Sequence, residues 1–112
     1  MIDTEKLDET LLELGHDDFV RGTALLREAV RRWDVREHPY MTKELYPALA
    51  REFGSTPSRV ERSMRHTIEK AWLRGDARLQ KRIFGAAYSA ERGKPTNGGY
   101  IAGLARYCEV GR

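Results

Sequence analysis

Tyr46-Pro47-Ala48-Leu49-Ala50-Arg51-Glu52-Phe53, then Gly54-Ser55-Thr56, then the long run from Pro57-Ser58-Arg59-Val60 to Leu73, is the stretch on which the fold turns. Leu45, Leu49 and Phe53 recur every four residues, which places them on one face of a short helix. Pro47 has no backbone donor, so it belongs in the first turn of that helix or kinks it. Gly54 ends the helix. Thr56 then supplies an N-terminal cap and Pro57 the first helical position of the next one. Val60, Met64, Ile68, Ala71 and Trp72 continue the pattern as an apolar stripe to about Leu73. A short helix, a tight turn containing glycine and a longer helix form a helix-turn-helix, here about residues 42–74. In that unit the second helix can lie in the DNA major groove while the first crosses the backbone.

A helical wheel sharpens this reading. At about 100° per residue, Val60, Met64, Ile68 and Ala71 fall on one side. Ser58, Arg59, Arg62, Arg65, His66 and Glu69 fall mostly on the other. Arg62 and Arg65 are candidates for bidentate pairing with guanine O6 and N7. Glu61, nearer the edge of the buried face, can accept from a cytosine amino group. Ser58 and Arg59, at the helix start, suit a backbone phosphate. His66 suits a phosphate as well, on the strength of its neighbours. Lys70 and Arg74 lie farther along, toward backbone or water. Ion pairs Glu61–Arg65 and Glu69–Arg65 would also suit a plain surface helix.

Outward from this unit, every segment reads as helix, so the expected fold is all-α. Leu7, Leu11 and Leu14 make a first stripe that Gly15 closes. Asp17 or Asp18 is the expected cap of a second helix, with Phe19, Thr23, Leu26, Val30 and Trp33 as its stripe. That helix should end near Asp34, because His38-Pro39 disfavours helix. After Gly75, Asp76 caps a short helix through Leu79 and Ile83. Phe84 to Pro95 reads as loop. A last helix starts near Thr96 or Asn97 and presents Tyr100, Ile101, Leu104 and Cys108.

The chain has 112 residues, enough for one domain, with 40% hydrophobic and 33% charged residues. No stretch approaches the ~20 apolar residues of a membrane span, and no secretory signal is visible at the start. A single cysteine, Cys108, excludes an internal disulfide and a cysteine-rich zinc site, and it suits a reducing cytoplasm. The net charge of +3 conceals an asymmetry. Residues 1–50 carry 7 basic and 11 acidic side chains, whereas residues 51–82 carry 9 and 4. A basic middle beside an acidic start points to a polyanion-facing surface on the helix-turn-helix.

Rival chemistry has little support. In His16-Asp17-Asp18, adjacent residues do not share a helix face, so capping is preferred to a metal site, and no cofactor is implied. Cys108, Trp33 and Trp72 fit core packing better than catalysis or base stacking. No phosphate loop, nucleophile elbow or paired-carboxylate motif is present, so an enzyme is not expected. The remaining alternative is a helical protein-interaction adaptor that keeps a helix-turn-helix for packing. It leaves the polar residues on the exposed face without a purpose.

Thr42-Lys43-Glu44-Leu45-Tyr46-Pro47, Ser58-Arg59-Val60-Glu61-Arg62, Arg65-His66-Thr67-Ile68-Glu69 and Ala71-Trp72 resemble the C-terminal effector domain of the sporulation stage-zero response regulator family. Leu14-Gly15, Gly22, Leu26-Arg27-Glu28-Ala29, Lys94-Pro95-Thr96-Asn97 and Ile101-Ala102 extend the resemblance over nearly the whole chain. It implies about six helices with the helix-turn-helix in the middle. It also implies sequence-specific binding to short promoter boxes in double-stranded DNA, often by paired domains in tandem. The expected domain is cytoplasmic and nucleoid-associated, a monomer in solution that pairs on DNA. By position, it carries base or phosphate contact onto Glu61, Arg62, Arg65 and His66, and backbone contact onto Ser58 and Arg59. An activating surface, facing the RNA polymerase sigma subunit, would match roughly Gly75–Ser89. Two departures stand out. The family's phosphoacceptor receiver domain has no room in 112 residues. Gly98-Gly99 should weaken the first turn of the closing helix, at ~1 kcal/mol for each glycine.

Overall fold

Six α-helices follow one another in the computed structural model, which describes residues 1–33, 40–85 and 93–110. They are α1 (Thr4–Glu13), α2 (Arg21–Arg32), α3 (Tyr46–Phe53), α4 (Pro57–Arg74), α5 (Ala77–Phe84) and α6 (Asn97–Tyr107). The all-α expectation holds. An isolated antiparallel bridge between Ile2 and Glu109 joins the two ends of the described chain. The expectations for Asp34, His38, Pro39 and residues 86–92 lie outside the described residues.

The helix boundaries follow from local chemistry. The Asp3 carboxylate accepts from the Lys6 amide to cap α1, and Gly15 closes it at φ 94°, a left-handed conformation that suits glycine. Thr56 accepts from the Arg59 amide and Pro57 opens α4, as the sequence predicts. Gly54, at φ 62°, makes the turn between α3 and α4. Asp76 caps α5 through the Arg78 amide, and Thr96 caps α6 through the Gly99 amide. The first turn of α6 is formed despite Gly98-Gly99, because that cap and the buried Asn97 tie it down.

Three expectations need correction. Phe19 is not part of the α2 stripe: it precedes the helix and is 98% exposed. Neither Asp17 nor Asp18 caps α2, whose N-cap is Val20. Asp17 instead closes a turn by accepting from the Phe19 amide, and Asp18 pairs with Arg27. Phe84 is the last residue of α5 rather than loop, and it is buried. Its ring stacks on Tyr100 with centroids 4.6 Å apart and lies against Gly103, where a Cβ would come within 2.6 Å of the ring. The flanking glycine and proline suggested a loop, but aromatic packing carries the helix through Phe84. A five-residue π-helical turn, Met41–Leu45, also leads into α3 without any signal in the pattern. It puts Pro47 in the first turn of α3, the first of the two places the sequence allows.

α4 runs through the middle of the fold, with its main contacts on α2 and α3. Val60, Met64 and Ile68 are fully buried, and each such side chain contributes about 1.5–3 kcal/mol. They meet Leu25, Leu26 and Ala29 of α2, Leu49 of α3, and Tyr100, Ile101 and Leu104 of α6 in one hydrophobic core. Trp33 and Cys108 are buried and Trp72 packs against the core, as their stripes imply. At Gly22 the α2 backbone approaches α4 so closely that a Cβ would sit 2.7 Å from Thr67 Cβ and 3.0 Å from the Ser63 carbonyl. This approach fixes how α4 sits on the domain.

Candidate nucleic-acid interface

Burying the Val60–Ala71 side of α4 leaves an outward crest with a flank on either side. By helical geometry Ser58, Arg62, His66 and Glu69 lie along the crest. Ser58, Arg62 and His66 are exposed, and Glu69 is half-buried with its carboxylate 3.9 Å from Lys94 Nζ. Arg59, Ser63, Lys70 and Arg74 line one flank, toward α2. Glu61 and Arg65 line the other, toward α3 and α6.

A groove follows each flank. On the α3 side, Thr42, Tyr46, Ser58, Glu61, Arg62 and Arg65 line one continuous depression. It runs on past Lys94, Thr96, Asn97 and Gly98 at the start of α6. On the α2 side, Arg21, Ser55, Arg59 and Ser63 line a second groove, which continues along His66, Lys70 and Arg74. Four of the six sequence candidates therefore share the first groove, and Arg59 and His66 lie along the second. The Arg21 guanidinium donates to the Phe53 carbonyl, so it spans from α2 to the end of α3.

Within the first groove Arg65 Nε donates to Glu61 Oε1 at 3.0 Å. That hydrogen bond, with the carboxylate charge, pushes the Arg65 guanidinium up from its usual range. Arg65 stays cationic and oriented, and Glu61 keeps its second oxygen for another donor. Of the two ion pairs considered from sequence, Glu61–Arg65 forms. Glu69 adds only a more distant charge to Arg65 and pairs with Lys94. Arg62 makes no ion pair with any described residue, so its five donors point outward without a competing carboxylate.

Two residues behind this surface escaped the sequence reading. Asn97 is buried, and its Nδ2 donates to Tyr46 Oη at 3.1 Å and to the Glu61 carbonyl at 3.2 Å. It thus joins α6, α3 and the N-terminal half of α4 at the point where Glu61, Arg62 and Arg65 emerge. Burial pushes the Tyr46 phenol up, so it stays neutral and able to accept this bond. In sequence Asn97 reads as a helix start and as part of the Lys94–Asn97 stretch of the resemblance, with no sign of its long-range bonds.

His16 caps no helix, and among the described residues no group of three or more His, Cys, Asp and Glu stands close enough to hold a metal. The ring is buried, with Nε2 2.6 Å from Tyr100 Oη. Burial, helped by the Arg74 charge, pushes its pKa down to about 4. Cys108 is buried too, and burial pushes its thiol up, away from the thiolate that catalysis requires. No helix among the described residues is long and apolar enough to cross a membrane.

A family model described as the sporulation initiation factor Spo0A C terminal matches residues 7–108. That family is one of DNA-binding regulatory domains rather than enzymes. With the match spanning nearly the whole chain and the helices arranged around α4 as described, the chain belongs to the Spo0A C-terminal family, the DNA-binding effector domains of a sporulation transcription regulator.

Proposed function

We propose that residues 1–112 act as one helix-turn-helix unit that reads a short promoter box, with Pro57–Leu73 in the major groove. The crest of α4, flanked by two grooves with cationic walls, carries this reading. A helix inserted in the major groove has one phosphate backbone on either side, and each flank of α4 offers donors to one of them. Arg62 on the crest reads a base, and Arg65 and Glu61 read a neighbouring pair from the α3 side. Ser58, Arg59 and His66 hold phosphates. Lys94 and Thr96 extend the contact on the α3 side, and Arg21 extends it on the α2 side.

The free domain is a monomer that pairs on tandem boxes, since one unit covers one half-site and linked sites gain through effective concentration. The region Gly75–Ser89 faces the RNA polymerase sigma subunit. Its described part, α5, exposes Arg78, Lys81 and Arg82.

Binding to genomic fragments at two salt concentrations, with scrambled competitor, tests the reading. Specific retention that falls steeply with salt is expected, because several cationic contacts displace counterions. Binding indifferent to sequence, or scarcely changed by salt, would instead favour a protein-binding adaptor. Sedimentation of the free protein, and titration onto one box and two, test the pairing. A stable dimer at micromolar concentration without DNA would refute the monomer.

A further inference from the structure

We propose that the cleft between the His16–Thr23 turn and the C-terminal half of α4 is a phosphate-binding site. The cleft holds about 180 Å³ and is lined by His16, Thr23, Ser63, Thr67, Lys70 and Arg74, among others. That is below the usual range of about 300–1,000 Å³ for pockets that enclose drug-sized ligands, so a small group fits and a nucleoside does not.

Two buried atoms that belong to its lining residues lack partners within the domain. Thr23 Oγ1 and His16 Nδ1 are buried side-chain atoms without hydrogen bonds, in residues that are 0% and 4% exposed. Such groups destabilise a fold unless something satisfies them. The His16 tautomer follows from its other nitrogen. If Nε2 donated to Tyr100, the buried Tyr100 hydroxyl proton would have no acceptor. If Tyr100 donates to Nε2, the imidazole proton sits on Nδ1, which becomes an unused buried donor of a lining residue. Thr23, Ser63 and Thr67 add hydroxyl donors, and Lys70 and Arg74 add two positive charges.

The rim also holds Asp17, one of whose carboxylate oxygens already accepts from the Phe19 amide. The cations outnumber it, and Arg74 lies near enough to His16 to disfavour a proton there. A tetrahedral anion with several acceptor oxygens fits this combination of neutral donors and two cations, whereas a metal ion does not. The phosphate is either a free phosphate or a backbone phosphate of DNA lying along the α2 flank. Only the second source rests on the promoter-reading proposal.

The test uses the full chain, isotope-labelled and followed by NMR at neutral pH. Sodium phosphate is titrated against sodium chloride at constant ionic strength, and box DNA is titrated separately. Saturable shifts at His16, Thr23, Lys70 and Arg74 with phosphate alone support the free-phosphate source. Shifts at the same residues with DNA, and loss of affinity when one backbone phosphate is replaced by a neutral methylphosphonate, support the backbone source. Lys70→Gln and Arg74→Gln should each weaken the responding ligand about tenfold, in line with a charge-assisted contact.

Thr23→Val guards against misfolding as an explanation. It removes a buried hydroxyl that holds nothing in the free protein, so the melting temperature should equal or exceed the parent's while phosphate affinity falls. No saturable response to either ligand overturns the proposal, as does a response that these three variants leave unchanged. Saturable phosphate binding in a protein that ignores box DNA would refute promoter reading and leave this site standing.

Discussion

Replacing Arg62 separates reading a base from attracting a phosphate. Arg62 stands exposed on the crest of α4 and pairs with no described carboxylate. Arg62→Ala therefore strands no partner and creates no cavity, and folding stability should change by less than about 0.5 kcal/mol. Loss of one bidentate base contact costs about 1–3 kcal/mol, or about 5- to 150-fold in affinity for the correct box. Affinity for scrambled DNA should fall much less, so the ratio between the two should shrink. Arg62→Lys sharpens the result. It keeps the charge and so the salt dependence, but it loses the planar fork and should lose most of the preference. Competition binding of the three proteins, with helical circular dichroism melts on the same samples, supplies both numbers. If Arg62 touched only phosphate, Arg62→Ala would weaken all sequences alike and lower the salt slope by about one. An unchanged preference with intact folding would refute the base-reading role.

Other perturbations probe the scaffold behind that residue. Val60→Asp or Ile68→Asp places a carboxylate in a fully buried site and should abolish folding, since the penalty rivals the stability of a small domain; a variant melting near the parent's temperature would mean the buried face of α4 is misassigned. Asn97→Ala leaves Tyr46 Oη and the Glu61 carbonyl without their bonds to Nδ2, so stability should fall by about 1–3 kcal/mol. Among molecules still folded, box preference should fall as well, and an undiminished preference would make Asn97 purely structural. His16 is held neutral, with a folded pKa of about 4 against 6.5 unfolded. Its contribution is therefore complete above pH ~6.5 and is lost as pH falls toward 4, by up to about 3 kcal/mol. Urea midpoints across that range, with NMR titration of the ring, check this, and an imidazole titrating near 6.5 would refute it.

The helix-turn-helix was legible because its signals are local and agree with one another. Thr56, Pro57, Gly54 and the Val60–Ala71 stripe each specify the same boundaries, and no long-range contact is needed to see them. Phe19 misled because it falls at helical spacing from Thr23, yet the turn closed by Asp17 precedes α2 and leaves that ring in solvent. Phe84 misled in the opposite sense. Its helix persists because Tyr100 and Gly103, far along the chain, accept the ring. Pairing of His16 with Tyr100, 84 positions apart, has no period to announce it. The six contact candidates could be drawn from one helix, but the walls of their grooves come from α2, α3 and α6. Periodicity within one helix cannot show which neighbours stand on either side.

Those neighbours bear on how the domain would discriminate between sequences. A bidentate base contact tolerates little displacement, so the crest must be held while it is read. α4 is held from both sides by features that leave little slack. On the α2 side, Gly22 brings the backbones together, and any side chain there would drive Thr67 and Ser63 away. On the α6 side, Asn97 grips the Glu61 carbonyl one residue before Arg62. Neither feature places a charge on the surface, so neither should alter salt dependence. Both fix the angle at which Arg62 and Arg65 leave the domain, and in that way limit the freedom lost on binding. Loosening either clamp should therefore erode preference for the box before it erodes affinity for DNA in general. Loss of a crest cation should weaken every sequence to the extent that the cation served phosphate.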